Sequence, residues 1–391
     1  MTFRLTTQNV FEYLCKQGIC IDEDLQGSTE RISGKNFNLL ITLPSSRKLF
    51  VKQERYDREG NAAGEFQHEW QFYELLQRFP ELQHIHPWVP EILHFDANYS
   101  VLVCSYLDSY RDLSDFYAKE NVFPTELAAT LGSVIATIHR ATLNRQEYKD
   151  FLTQHSQDES IYRVSDYTRS LDRVEPEIFG TVPVDGIKFF VLYQRYESLR
   201  QAVAELGASS EPCCLTHNDL KLNNVLLYRD WEQSLSQNAP SSPNLVRVLD
   251  WERSAWGDPA ADLGAMIASY LQLWLNSLII TKNLSIEESV QLATVPLEKV
   301  QPSIAALTQA YLKNFPEILD CRLNFLQRAI QFAGLTLIQQ VQAGIQYQKT
   351  FGNMGIAMLQ VAKSLLCTPK QSAPTVFGKA IAEFPSAIFL S

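Results

Sequence analysis

The sequence predicts an α+β protein in two parts: a small N-terminal antiparallel sheet with one helix, then a larger, mainly helical C-terminal part. Three observations carry this expectation. Short apolar runs bounded by turn residues crowd the chain before Leu107. One strongly periodic helical segment interrupts them. After Leu107 the apolar spacing changes to threes and fours. The expected division is therefore residues 1–107 and residues 108–391.

Taken in order, Thr6 or Thr7 is placed to cap a first helix through Val10, Tyr13 and Leu14. Residues 38–43 and 48–52 read as strands, and Pro44-Ser45-Ser46-Arg47 between them predicts a hairpin turn. Residues 65–78 read as a helix with an apolar stripe at Phe66, Trp70, Tyr73 and Leu76. Residues 91–95 and 100–106 are strand-like. Residues 127–139 then repeat apolar side chains at Leu127, Leu131, Val134 and Ile138. Residues 141–185 are polar and irregular, which predicts loops and short helices. Leu192, Tyr196, Leu199, Val203 and Leu206 predict one helix. The runs at 213–215, 225–228 and 245–249 suit three short buried strands, with residues 235–244 as an exposed hairpin tip. Further helices are expected at 263–280, 304–314 and 322–347. The tail from Thr368, with Pro369, Pro374 and Pro385, reads as loop.

Composition narrows the function. A chain of 391 residues with 46% hydrophobic content builds two or three well-filled domains. Its apolar run at 271–280 is broken by Gln272 and Asn276, too short for a membrane span. Met1-Thr2-Phe3-Arg4-Leu5 lacks the apolar core of a secretion signal. Seven cysteines at irregular spacings point to a reducing cytoplasm with neither a disulfide framework nor a zinc site. A net charge of −10 argues against nucleic acid as the main partner. Such a charge ordinarily serves solubility, and it would also suit a cationic substrate. Membrane partners are not expected.

Two segments carry the chemistry. His217-Asn218-Asp219-Leu220-Lys221-Leu222-Asn223-Asn224 has the spacing H-x-D-x-x-x-x-N. Val248-Leu249-Asp250-Trp251-Glu252 ends an apolar run on a carboxylate. Kinase-type phosphoryl transfer uses one Asp to accept the proton of the attacking hydroxyl, and an Asn with a second Asp to hold Mg²⁺. The reason is physical. Charge develops on phosphoryl oxygens, hard cations neutralise it, and such cations take oxygen ligands. An alcohol is a poor nucleophile, and a carboxylate that orients and deprotonates it contributes roughly 10²–10⁴-fold. The same chemistry needs a strand Lys paired with a helix Glu. Lys52 closes an apolar strand, and Glu69 is preferred over Glu65 as its partner. Ser33-Gly34-Lys35-Asn36-Phe37-Asn38 is the candidate phosphate turn, with a single glycine and no P-loop pattern. His84 and His86, beside Pro87, read as loop histidines.

These residues resemble the aminoglycoside phosphotransferase and choline kinase family, which shares the protein-kinase architecture. Its motif H-G/N-D-x-x-x-x-N is followed by a strand ending in D-W/F-E and then by G-D-P-x-x-D-L. Here the second part reads Asp250-Trp251-Glu252-Arg253-Ser254-Ala255-Trp256-Gly257-Asp258-Pro259-Ala260-Ala261-Asp262-Leu263. The resemblance covers residues 30–270 and implies a two-lobed fold that binds ATP and Mg²⁺. It implies Asp219 as base, Asn224 and Asp250 as Mg²⁺ ligands, and Lys52 with Glu69 as the phosphate-positioning pair. Ser33, Gly34 and Asn38 would lie at the phosphates. The backbone of Cys104, Ser105, Tyr106 and Leu107 would read adenine. His217 and Asp262 would support the catalytic loop. Two positions depart from the family pattern. The turn holds only Gly34-Lys35, and Lys221 stands where small-molecule members carry His or another residue. Ser/Thr protein kinases carry Lys there, reaching the transferring phosphate, so Lys221 joins the catalytic candidates. The expected acceptor is a small-molecule hydroxyl. The alternatives are a Ser or Thr of a peptide, as in ribosomal peptide maturation, and a nucleotide-binding pseudokinase scaffold.

Overall fold

In the computed structural model, the described residues are 3–155, 167–168, 171, 183–236, 245–281 and 283–384. They fall into two units. The first takes the chain up to Asp115 and again Asn223–Ser254; the second takes most of the remainder.

The first unit is built on a five-stranded antiparallel sheet. Its strands are β1 (Ser28–Ile32), β2 (Phe37–Thr42), β3 (Lys48–Gln53), β4 (Ile92–Asp96) and β5 (Val101–Ser105), in the order β1-β2-β3-β5-β4. Side chains alternate across a strand, so each residue type chooses a face. Leu39, Ile41, Leu49 and Val51 share one face and are fully buried. The helix α1 (Val10–Lys16) packs on that face through Val10, Tyr13 and Leu14. Asn38 sits opposite Lys52 on the other face. The hairpin and the two later strands fall within a residue or two of expectation. β1 was not legible: Ser-Thr-Glu-Arg-Ile has no apolar run, and an edge strand needs hydrogen bonds to one neighbour only.

The helix α2 covers Glu65–Arg78, as the periodicity predicts. It starts after Gly64 at φ +82°, and the Glu54 carboxylate accepts from the amides of Gly64 (2.8 Å) and Phe66. Its buried face holds Phe66, Glu69, Phe72, Tyr73, Leu75 and Leu76. Trp70, placed on the apolar stripe by spacing, is only half-buried and stacks on Phe95 at 5.9 Å.

A second, three-stranded sheet in this unit has the order β6-β8-β9, with β6 at Tyr110–Asp112, β8 at Val225–Tyr228 and β9 at Val246–Val248. The strand expected at 213–215 does not join it. That strand, β7 (Cys214–Thr216), pairs with β10 (Ala255–Gly257) in the second unit. β6 and β10 are three residues each, too short to leave a periodicity. The expected hairpin tip at 235–244 is entered through a short helix, Trp231–Ser236, and residues 237–244 lie outside the described residues.

The second unit is helical around its two-stranded ribbon. Thr125–Thr142 packs on Leu297–Asn314, and Pro259–Asn276 packs on Phe325–Gln348. Gly132 permits the first approach, since a Cβ there would lie 2.1 Å from the Leu307 carbonyl oxygen. The single helix expected through 192–206 is two helices, Val184–Arg195 and Glu197–Ala208. Tyr196 leaves the helical region between them (φ −99°, ψ 82°), and Tyr193 rather than Leu192 is fully buried. Spacing by threes and fours survives such a break, so it cannot reveal one. Residues 146–155 form one short helix, as expected of the 141–185 stretch, most of which lies outside the described residues. The tail is not loop up to Phe377. Pro369 occupies the first turn of a helix, Pro369–Phe377, where its missing N–H costs nothing, and Ala373, Val376 and Phe377 are buried. All seven cysteines are free.

Candidate active site

Three of the expected site residues meet in the first unit. The Lys52 ammonium lies 2.7 Å from Asp250 Oδ1 and 3.7 Å from Glu69 Oε2. Strand β3 presents Lys52 and helix α2 presents Glu69. Burial lowers the Lys52 pKa. The facing Asp250 and Glu69 outweigh it and hold the Lys52 pKa well above its ordinary value. Burial pushes the Glu69 carboxyl up, with Lys52 opposing. Glu65, the competing partner, turns instead to Lys35 of the β1–β2 turn. Two Lys–Glu pairs thus occupy successive turns of α2, a feature that sequence spacing did not distinguish.

Asp250 adopts a left-handed conformation at φ +58°, uncommon for a residue with a Cβ. It is held on both sides. The Leu249 amide donates to the Asn224 carbonyl at 2.8 Å, tying the end of β9 to the turn before β8. Trp251 is buried, stacks face to face on Phe72 of α2 at 4.0 Å, and donates its Nε1–H to the Val248 carbonyl at 3.0 Å. The tryptophan of the D-W-E sequence is therefore an anchor that fixes the carboxylate before it. The Glu252 carboxyl is pushed up to about 7 by burial and by Glu65, Asp250 and Glu69 nearby. Asn224 is buried in the same unit.

The candidate phosphate turn joins β1 to β2. Ser33 is exposed, and a Cβ at Gly34 would lie 2.5 Å from Asn38 Nδ2. Asn38 Oδ1 is buried without a hydrogen-bond partner. At the end of β5, Cys104 is buried and Tyr106 exposed. The Ser105 amide donates to the Glu91 carbonyl and the Tyr106 amide to the Lys48 carbonyl, both at 3.0 Å. Those two amides are engaged inside the sheet. Leu107 accepts from the Tyr110 amide at 3.0 Å.

The second unit carries the other residues. Lys221 Nζ lies 2.8 Å from Asp219 Oδ2, and the Asp219 amide donates to His217 Nδ1 at 3.3 Å. Asp262 is fully buried beneath this loop. Its Oδ2 accepts from the His217 amide at 2.7 Å and from His139 Nε2 at 3.1 Å; its Oδ1 accepts from the Asn218 amide at 2.9 Å. A carboxylate that accepts from Nε2 sets the tautomer of a neutral His139, whose Nδ1 then accepts a hydrogen bond from the Tyr311 hydroxyl at 2.8 Å. Burial pushes the Asp262 carboxyl up, but His139 and His217 more than reverse this and hold it below the ordinary range. Asn218 is left-handed at φ +60°, and the bond to its amide fixes that bend.

The G-D-P-x-x-D-L sequence is explained residue by residue. A Cβ at Gly257 would sit 2.1 Å from Thr216 Oγ1. Asp258 caps the helix Pro259–Asn276 through the Ala260 amide (3.1 Å) and pairs with buried Arg328 at 2.6 Å. Pro259 opens the helix, and Asp262 follows one turn later under the loop. Arg328 and His139 were not singled out from sequence, because each lies far along the chain from its partner. The i, i+4 polar break at His139 in an apolar helix face was the one signal available.

The sequence profile described as "Phosphotransferase enzyme family" matches residues 29–280, and the chain belongs to that family. No curated protein matches it in sequence. Among solved structures, it is similar to the ADP-bound aminoglycoside phosphotransferase APH(2'')-Ib, with 13% identity, a TM-score of 0.51 and coverage of 92% of this chain and 99% of that one. It also aligns with a choline/ethanolamine kinase family protein from Mesorhizobium loti (16% identity, TM-score 0.47, 94% of both chains). A choline kinase from Streptococcus pneumoniae gives 14% identity and a TM-score of 0.47 over 92% of this chain and 99% of that one.

Proposed function

We propose that this protein transfers the γ-phosphoryl group of ATP to a hydroxyl of a small molecule. The observation that carries the proposal is Lys52 held charged between Asp250 and Glu69 in a member of a phosphotransferase family. The lysine is a fixed cation for nucleotide phosphates, and Glu69 aims it. Asp250 and Asn224 are the oxygen donors a hard divalent cation requires, and the Asp250 carboxylate already faces the ammonium of Lys52. Mg²⁺ bound there neutralises charge on the phosphate oxygens. With the Ser105 and Tyr106 amides engaged in the sheet, adenine recognition falls to Leu107 and the neighbouring carbonyls.

Asp219 is the proposed base. It accepts the acceptor's proton, and Asp262 holds its loop through the His217 and Asn218 amides. Asp219→Asn tests the assignment: nucleotide binding by calorimetry should persist while phosphoryl transfer falls by roughly 10²–10⁴-fold. Full turnover in that variant would remove Asp219 from the mechanism.

A second reading, in which a peptide Ser or Thr is the acceptor, is favoured by Lys221 standing 2.8 Å from Asp219. Labelled ATP offered to a metabolite library and to peptides side by side separates the two.

A further inference from the structure

A cleft of about 310 Å³ lies in the first unit, beside the β1–β2 turn and on the sheet face opposite Lys52. Three guanidinium groups, from Arg4, Arg31 and Arg55, line it together with Phe37 and Tyr56. Strand register places it. Arg31 is opposite Leu39, and Phe37 is opposite Gln53. Leu39 and Gln53 alternate with Asn38 and Lys52, so the cleft opens on the sheet face that α1 covers, and Lys52 points from the other face.

Three arginines face a single carboxylate among the described residues that line the cleft. Among the described residues Arg4 and Arg31 make no ion pair; Arg31 lies over the Phe37 ring at 5.3 Å. Arg55 donates to the Gly34 carbonyl at 3.3 Å and, among the described residues, pairs with no carboxylate. The one acid lining the cleft, Glu54, is turned to the amides of Gly64 and Phe66 at the start of α2. The floor is preset. The buried Gln53 amide bonds the Leu5 amide at 2.8 Å and the carbonyls of Phe3 (3.1 Å) and Tyr99 (3.0 Å), and the Tyr56 hydroxyl donates to Tyr99 at 2.7 Å. Solvent-facing guanidinium groups without a carboxylate partner among the described residues thus gather in this cleft, in a chain with 34 basic against 44 acidic residues. Guanidinium forks match phosphate oxygens in charge and geometry.

We propose that this cleft binds a phosphate monoester bearing an aromatic or apolar group, the arginines taking the phosphate and Phe37 and Tyr56 the apolar part. Its volume suits a small ligand. The site does not depend on the proposed reaction, so either proposal can fail alone.

Phenyl phosphate is the probe, titrated calorimetrically into the full chain. Wild type should bind it saturably at one site. Arg31→Gln should weaken binding about ten-fold, the value of one charge-assisted hydrogen bond. Arg4→Gln with Arg31→Gln should abolish it. Lys52→Met should leave it unchanged. The arginines are exposed, so the variants should keep the wild-type unfolding midpoint, which is measured alongside. Absence of saturable binding overturns the proposal. So does binding indifferent to the arginine variants, or binding lost in Lys52→Met, which moves the ligand to the other face. Retention on heparin without phenyl phosphate binding would assign the cleft to a polyanion and also overturn it.

Discussion

Replacing Asp262 by Asn changes one atom, and its effect can be worked from the geometry. The carboxylate takes three donors: His217 N at 2.7 Å, His139 Nε2 at 3.1 Å and Asn218 N at 2.9 Å. An amide keeps one acceptor. The less costly orientation leaves the carbonyl on His217 and His139 and turns the NH₂ towards the Asn218 amide. One bond to a charged group is lost, about 1.5–3 kcal/mol, and one donor is left unsatisfied, about 1–3 kcal/mol. Removing a buried charge offsets part of this. The net expectation is a loss of about 2–4 kcal/mol at neutral pH, read as a lower midpoint in urea denaturation. The pH dependence follows from the depressed carboxyl. A group whose folded pKa lies below its unfolded value stabilises above the unfolded value, about 4, and that contribution is lost as pH falls through the folded pKa. The gap between wild type and variant should therefore be constant from pH 7 to 6 and close in acid below about pH 4. A variant within about 0.5 kcal/mol of wild type at pH 7, or a gap that widens in acid, would refute the three-donor account.

Other outcomes follow from the same contacts. Lys52→Met should weaken ATP binding by about ten-fold or more while sparing adenosine, because only the phosphates lose their cation; equal losses for both ligands would argue for a folding defect. Glu69→Gln leaves Lys52 its Asp250 partner and removes a carboxylate whose charge burial disfavours, so the urea midpoint at neutral pH should shift by less than about 1 kcal/mol. Gly132→Ala drives a Cβ to 2.1 Å from a backbone oxygen of the facing helix. It should cost at least about 2 kcal/mol in thermal or chemical unfolding despite alanine's better helix propensity. A neutral result would show that the two helices can part cheaply.

Local chemistry wrote much of this protein into its sequence. The α+β class, the helix α2, the β2–β3 hairpin and the presence of most long helices were legible because period two and period 3.6 are local properties; their ends were not, since Leu297–Asn314 starts seven residues before its expected start and Asn353–Cys367 was not expected. The two short motifs, with their order and spacing, were enough to mark the family. Other features needed the folded chain. Tyr-Arg-Asp and Ala-Trp-Gly carry no apolar run, so β6 and β10 appear only where β8 and β7 require partners. Tyr196 breaks a helix whose spacing runs on unbroken, and a proline-rich tail becomes helical because Ala373, Val376 and Phe377 find a surface to bury against. Sequence alone determined which acids and bases this chain owns; tertiary structure decided their partners. Sequence preferred Glu69 to Glu65 as the partner of Lys52, and the fold pairs Glu69 with Lys52 while Glu65 turns to Lys35. Asp262 meets His139 across 123 positions. Partners so distant in sequence are brought together by packing, and packing has no local code.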